Sequence, residues 1–310
     1  MTPRIKAALL LLLLTAIWGL TFPMTRWTVT VAGMDPIAYS GFKFLFAFLA
    51  LLPIAVRGSG PLPGARPGKL LWLRAGLAAG CLVTAFGILQ FAGLVYTTSG
   101  KSAFISGLYV VMVPLLSIAL GRIPGPPVWI GLVLGVSGLW LIAGPQAGFG
   151  KLNLGDVLTL LSAAFIALHM IVTARFANRV DPARFVTVQI GIASLVSFAI
   201  ALARGSMPDA SVFWLSLPFT LFGIVSLAGG FVIQTTAQRS MRASEVALML
   251  QLQGVFGAVF GMIFLGEVMT PTMWAGAALV VAGSIAAQTR SRRGGETPPE
   301  PAVATAAAGR

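Results

Sequence analysis

Residues 7–20, AALLLLLLTAIWGL, admit two readings, and the choice between them decides the fold. Preceded by Arg4 and Lys6, the run has the basic start and apolar middle of a secretory signal. No small-x-small cleavage site follows, and bulky Trp18 stands in that neighbourhood. Extended to residues 5–25, the run is also a membrane span, since crossing a hydrocarbon core takes about 20 mainly apolar residues. Removing it would leave nine spans and break a repeat that otherwise covers the chain. Retention as a first transmembrane helix is therefore expected.

The same length criterion, applied outward, gives ten spans near 5–25, 36–56, 70–92, 99–120, 127–144, 155–176, 183–203, 212–236, 245–265 and 272–289. Composition agrees. Of 310 residues, 57% are hydrophobic and 9% charged, against about 25% charged in soluble domains. Mean hydropathy is +0.92. Such a chain has too few polar groups to cover a water-facing surface, so lipid is its main solvent. Its 36 Gly and 19 Pro fit that class, because membrane helices tolerate both. The expected fold is all-α and integral to the membrane.

With 21 basic and 8 acidic residues, a soluble chain would suggest nucleic-acid binding. Here the basic residues punctuate the apolar segments instead of forming a stripe. If Arg4 and Lys6 hold the N-terminus in the cytoplasm, sixteen Lys and Arg fall on that side and four, Arg26, Lys101, Lys151 and Arg204, on the other. Lys43 is left inside a span. This asymmetry follows the positive-inside rule and gives the charge a topological explanation. The expectation is a multi-pass protein of the cell (inner) membrane with both termini cytoplasmic and no nucleic-acid partner. Cys81, the only cysteine, allows neither an internal disulfide nor a thiolate cluster.

Sliding the chain against itself by 144–147 residues aligns Asp35-Pro36 with Asp181-Pro182 and Leu89-Gln90 with Ile233-Gln234. It also pairs Leu120-Gly121 with Leu265-Gly266, Trp129 with Trp274, Gly131 with Gly276 and Gly138 with Gly283. The common shift relates the first five spans, residues 1–145, to the last five, residues 150–289. Five is odd, so the second copy enters from the opposite side and the halves are inverted repeats. Alternating access is built on that architecture, with the site near the midplane between the repeats. Residues 290–310, rich in Pro, Ala and charge, are expected to form a disordered cytoplasmic tail.

Four stretches carry a family resemblance: AIWGLTFP (16–23), SAFISGLYVVMVPLL (102–116), ASEVALMLQLQGVFGAVFGMIFLGE (243–267) and WAGAALVVAGSIAA (274–287). Over roughly residues 5–289 the chain resembles the drug/metabolite transporter superfamily, specifically its EamA-type members. The resemblance implies a ten-helix bundle with a central cavity, no enzymatic activity, and export or exchange of amino acids or related metabolites. One departure stands out. Many members have Glu-Pro where this chain has Gln253-Gly254, which removes an ionisable group from the ninth span.

A mid-span Lys carries an insertion penalty of about 2.5 to 3.5 kcal/mol, so polar side chains facing inward are site candidates. They are Lys43, Gln90, His169, Gln189, Gln234, Gln251 and Gln253. Lys43 lies seven residues after Pro36, roughly 10 Å into its span. It is either a fixed cation for a substrate carboxylate or a side chain that snorkels to the interface. The aligned position, Gln189, is also polar. His169, the only histidine, either exchanges protons or hydrogen-bonds a neighbouring helix. It has no partner ligands at metal spacing, and neither a metal nor a cofactor is expected.

Gln90 and Gln234 fall at matching repeat positions, and amides suit recognition of amino, amide or carboxylate groups. Gln251 and Gln253, two apart, cannot share a helical face, so at most one points into a cavity unless the helix is irregular there. Trp18 and Tyr109 are mid-span aromatics able to stack on substrate. Gly76/Gly80, Gly131/Gly135 and Gly257/Gly261 read as close helix contacts. Pro114 and Gly229-Gly230 read as kinks.

Two other functional classes fit parts of the sequence. GVSG at residues 135–138 has a G-x-S-G form that, with His169 as base, suggests an intramembrane serine protease. Its repeat partner, VVAG, lacks the serine. A non-transporting scaffold or lipid-flipping protein is the other alternative. All eight acids fall in loops, tails or near helix ends, so facilitated diffusion or exchange is expected, with His169 as the one buried proton carrier. The expected partners are a small-molecule substrate and the bilayer, the chain acting as monomer or homodimer.

Overall fold

Two Asp-Pro pairs start two helices in the same way. Asp35 accepts hydrogen bonds from the backbone N–H groups of Ile37 (2.9 Å) and Ala38 (3.1 Å), and Asp181 from that of Arg184 (3.0 Å). Each proline then takes the first helical position, where its missing N–H leaves no donor unmet. The helices so begun are α2 (Pro36–Arg57) and α8 (Pro182–Ala203). The computed structural model describes residues 3–57, 70–97, 99–143, 153–265 and 270–288. The tail expected over 290–310 lies outside the described residues.

The chain crosses ten times. The first repeat comprises α1 (Pro3–Thr30), α2, α3 (Leu71–Tyr96), a fourth span divided into α4 (Ser99–Gly107) and α5 (Tyr109–Ala119), and α6 (Pro126–Ala143). The second begins with α7 (Leu154–Phe176), started by an Asn153–Asp156 capping box, and α8. Its third span joins α9 (Ala210–Gly223), a π-helical turn (Ile224–Gly229) and α10 (Gly230–Ala237). A divided fourth span, α11 (Ala243–Leu250) and α12 (Gln253–Leu265), precedes α13 (Pro271–Gln288). The π turn ends at Gly229, and Gly230 begins α10.

Packing follows a two-fold relation between the repeats. The fifth spans, α6 and α13, pack together, as do the second spans, α2 and α8. A Cβ on Gly131 would lie 2.7 Å from the Gly283 carbonyl oxygen, and one on Gly138 2.5 Å from that of Gly276. The repeat alignment carries Gly131 to Gly276 and Gly138 to Gly283, so each contact is the image of the other. Small residues bring the two backbones together where lipid supplies no hydrophobic drive. Both helices are 18 residues, hence about 27 Å long, the short pair of the bundle.

Polar contacts clasp the two faces. At the face where α1 begins, Arg4 pairs with Glu245 (3.0 Å), Arg184 donates to the Ala55 carbonyl, and Arg239 to the carbonyls of Ala177 and Val180. Burial lowers the pKa of Arg239, and the charge of Asp181 opposes that shift. At the far face Thr97 donates to Asp156 (2.9 Å), Arg26 to the Thr97 carbonyl and Asn153 to that of Tyr96. Residues from α1 and the ninth span meeting at one face, and from α3 and α7 at the other, are what inverted five-span repeats require.

The fourth and ninth spans break at matching places. Leu108 separates α4 from α5 and Gln251-Leu252 separate α11 from α12, with Leu108 and Leu252 offset by the repeat shift. Tighter turns carry the backbone through, Leu108 N–H donating to the Ile105 carbonyl (3.1 Å) and Leu252 N–H to that of Met249 (3.1 Å), and such irregular turns at membrane depth sit inside protein or beside a cavity. Here they flank a cavity.

Candidate functional site

The cavity spans about 760 Å³, a volume that takes in open solvent. Seven spans line it, and α6, α8 and α13 contribute nothing. From α1 come Trp18, Thr21, Phe22 and Thr25, and from α2 Lys43. The α3 helix gives Phe86, Gln90, Phe91 and Leu94, while the divided fourth span gives Ser106 and Tyr109. Ile166 and Met170 of α7, Ser226, Leu227, Phe231 and Gln234 of the eighth span, and Leu250 and Gln253 of the ninth complete the wall. Tyr109 and Gln253 are repeat equivalents, each the first residue after its break. Sequence reasoning selected both without seeing that link.

Lys43 is buried, and its ammonium stands 5.2 Å from the Tyr39 ring centroid and 5.3 Å from that of Phe91. Ring faces attract a cation without neutralising it. No carboxylate lines the cavity among the described residues, and Lys43 makes no ion pair there. Tyr39 lies one helical turn before Lys43, a spacing visible in sequence.

The two matched glutamines differ. The Gln90 carbonyl accepts from Ser106 and from Ser162 (2.8 Å), and its amide donates to Ser102 (2.8 Å). Gln234 is equally buried, yet neither end of its amide has a partner. The Tyr109 hydroxyl is also buried and unpartnered. Trp18 shows its ring to the cavity but spends its indole N–H on the Ser226 carbonyl (2.7 Å) in the π turn. Gly230 permits that approach, since a Cβ there would lie 2.8 Å from the indole nitrogen.

Other candidates sit elsewhere. His169 Nε2 pairs with Gln189 Oε1 at 2.6 Å between α7 and α8, its ring edge-on to Phe231. Neither His169 nor Gln189 lines the cavity. Gln251 lies against Gly135 of α6, while Gln253, across the break, lines the cavity. Ser137 is on the exposed side of α6, and His169 is buried elsewhere. Among the described residues no group of three His, Cys, Asp or Glu side chains is placed to hold a metal. Sequence reasoning missed Phe91, Ser106, Ser226, Thr21 and Thr25, whose types are common in any span.

Comparison with known proteins agrees with this architecture. Residues 5–144 and 153–287 each match the model of the EamA-like transporter family. The chain is 28% identical over 290 residues to a protein named an uncharacterized transporter in Archaeoglobus fulgidus, covering 93% of this chain and 87% of that one. It is 29% identical to the uncharacterized transporter YvbV of Bacillus subtilis, covering 94% of each. A shorter match, 27% over 182 residues, is to the threonine/homoserine exporter RhtA of Escherichia coli K12, covering 57% of this chain and 60% of that one. A solved crystal structure shares the fold at a TM-score of 0.72 and 16% identity, covering 91% of this chain and 98% of that one. The chain is therefore a multi-pass membrane protein that belongs to the EamA-like transporter family of the drug/metabolite transporter superfamily.

Proposed function

We propose that this chain is a secondary transporter that exports or exchanges a small metabolite, of the amino-acid or a related class, by alternating access through its central cavity. The observation that carries the reading is a cavity flanked by two equivalent helix breaks, one from each inverted repeat, and holding a buried, unpaired lysine. Discontinuous helices at a repeat interface suit a site that faces either side in turn. The distant likeness to a protein named a threonine/homoserine exporter favours metabolites of the amino-acid or a related class. In this reading the chain has no enzymatic activity, lies in the inner membrane and keeps both termini in the cytoplasm. With no carboxylate among the described residues of the lining, transport in this reading proceeds as facilitated diffusion or exchange.

Uptake of labelled amino acids and related metabolites into proteoliposomes of the purified protein tests this. Saturable uptake of at least one solute is expected. Empty-liposome rates across a broad panel would contradict the proposal.

A further inference from the structure

The cavity is unequal in charge. Lys43 brings a cation that stands by the Tyr39 and Phe91 rings and makes no ion pair among the described residues. The described acids, Asp35, Asp156, Asp181, Asp209 and Glu245, all stand at helix starts on the two faces, none of them in the lining. A cation without a counter-ion, in a cleft with low-dielectric walls, leaves a focused positive potential. An entering anion relieves it. A second cation raises it.

The other unmet polar groups are neutral. Gln234 offers a donor and an acceptor, and Tyr109 a hydroxyl, all buried and without protein partners. Such groups recognise hydroxyl, amide or carbonyl functions and supply no charge to hold an ammonium. The remaining wall is mostly apolar or aromatic, including Trp18, Phe22, Phe86, Met170 and Phe231.

We infer that, among the metabolites of the transporter reading on which this rests, the cavity selects monocarboxylates that lack a free ammonium group. Lys43 takes the carboxylate, Gln234 and Tyr109 take a neutral hydrogen-bonding group, and the rings hold an apolar or aromatic body. A zwitterionic amino acid brings an ammonium that meets no carboxylate and sits in the field of Lys43. An N-acylated amino acid or an aryl acid brings the same carboxylate with that conflict removed.

Three probes with one body isolate the charges: N-acetylphenylalanine, phenylalanine and phenethylamine. Equilibrium binding and counterflow are measured with the purified full-length protein. N-acetylphenylalanine is expected to bind at least about ten-fold more tightly than phenylalanine, with phenethylamine weakest, because an unpaired buried charge is strongly rejected. Lys43→Gln should erase the preference and Lys43→Arg retain most of it. Gln234→Glu adds a carboxylate and should move the preference toward phenylalanine, which keeps the test decisive if Lys43→Gln fails to fold. Equal or tighter binding of phenylalanine by the wild type would overturn the inference, as would an unchanged preference in Lys43→Gln. If none of the three binds while other solutes are transported, the carboxylate selection fails and the transporter reading stands. If no solute is moved at all, both fail.

Discussion

Gln90 and Gln234 occupy matching positions in the two repeats, yet Gln90 is hydrogen-bonded at both ends of its amide and Gln234 at neither. The difference lies in the neighbours. Ser102 and Ser106, which bond Gln90, correspond at the repeat shift to Val246 and Leu250. One copy of the amide therefore binds helices together, and the other is left facing the cavity.

The glutamines should separate on substitution. Gln90→Leu removes the acceptor used by Ser106 and the donor to Ser102, while Ser162 keeps the Thr159 carbonyl, a loss of about 1 to 3 kcal/mol for the stranded buried groups. Gln234→Leu strands nothing and should leave stability unchanged or raised while transport falls. Thermal melting and uptake, measured on the same purified variants, check this. A larger melting loss for Gln234→Leu would contradict it.

The α6–α13 seam should be intolerant of bulk. Gly131→Val places a branched side chain against the Gly283 backbone, which cannot yield as a flexible side chain does. Destabilisation of about 1 to 3 kcal/mol is expected, with a similar effect from Gly138→Val against Gly276. An exposed control, Val133→Ala on the same helix, should change melting little. Equal melting for Gly131→Val and the control would show that the seam does not hold the repeats together.

Much of this fold was legible in sequence because lipid imposes strict rules. Span length, basic asymmetry and the common shift of the repeats each answer to a physical requirement that survives without a structure. Asp35-Pro36 and Asp181-Pro182 announce their caps locally. The site was less legible, because the direction a side chain takes depends on helix phase, and phase is lost at Leu108 and at Gln251-Leu252. Spacing alone puts Gln251 and Gln253 on opposite sides, but not which one meets Gly135 and which the cavity. The partners of Gln90 include Ser162, 72 residues away, and no local pattern links them.

Glu245 should matter more than Arg4. Its carboxylate is almost fully buried, pairs with Arg4 and Arg242, and accepts from the Arg242 backbone N–H at the start of α11. Glu245→Gln weakens the clasp between α1 and the ninth span and should ease opening of the face where α1 begins. On a Cys81→Ala, Gln234→Cys background, thiol labelling from that face should quicken several-fold with Glu245→Gln and less with Arg4→Gln, whose side chain is a third exposed. Unchanged labelling in both would remove the clasp from the account.

His169 should serve structure. Its Nε2 is engaged with Gln189 and it stands apart from the cavity lining. His169→Gln is expected to lower melting by an amount equal to about 1 kcal/mol, a typical hydrogen bond, and to leave the response of transport to an imposed proton gradient as in wild type. A gradient response present in wild type and absent in His169→Gln would make it a proton carrier instead.

A cavity that serves the two sides of the membrane in turn should show trans-stimulation. Proteoliposomes loaded with an unlabelled transported solute are compared with empty ones for uptake of the labelled form. Alternating access predicts faster uptake into the loaded vesicles, with the stimulation lost in Gln234→Leu. Uptake that ignores the contents of the vesicle, or is absent in every panel solute, would rule out alternating access through this cavity.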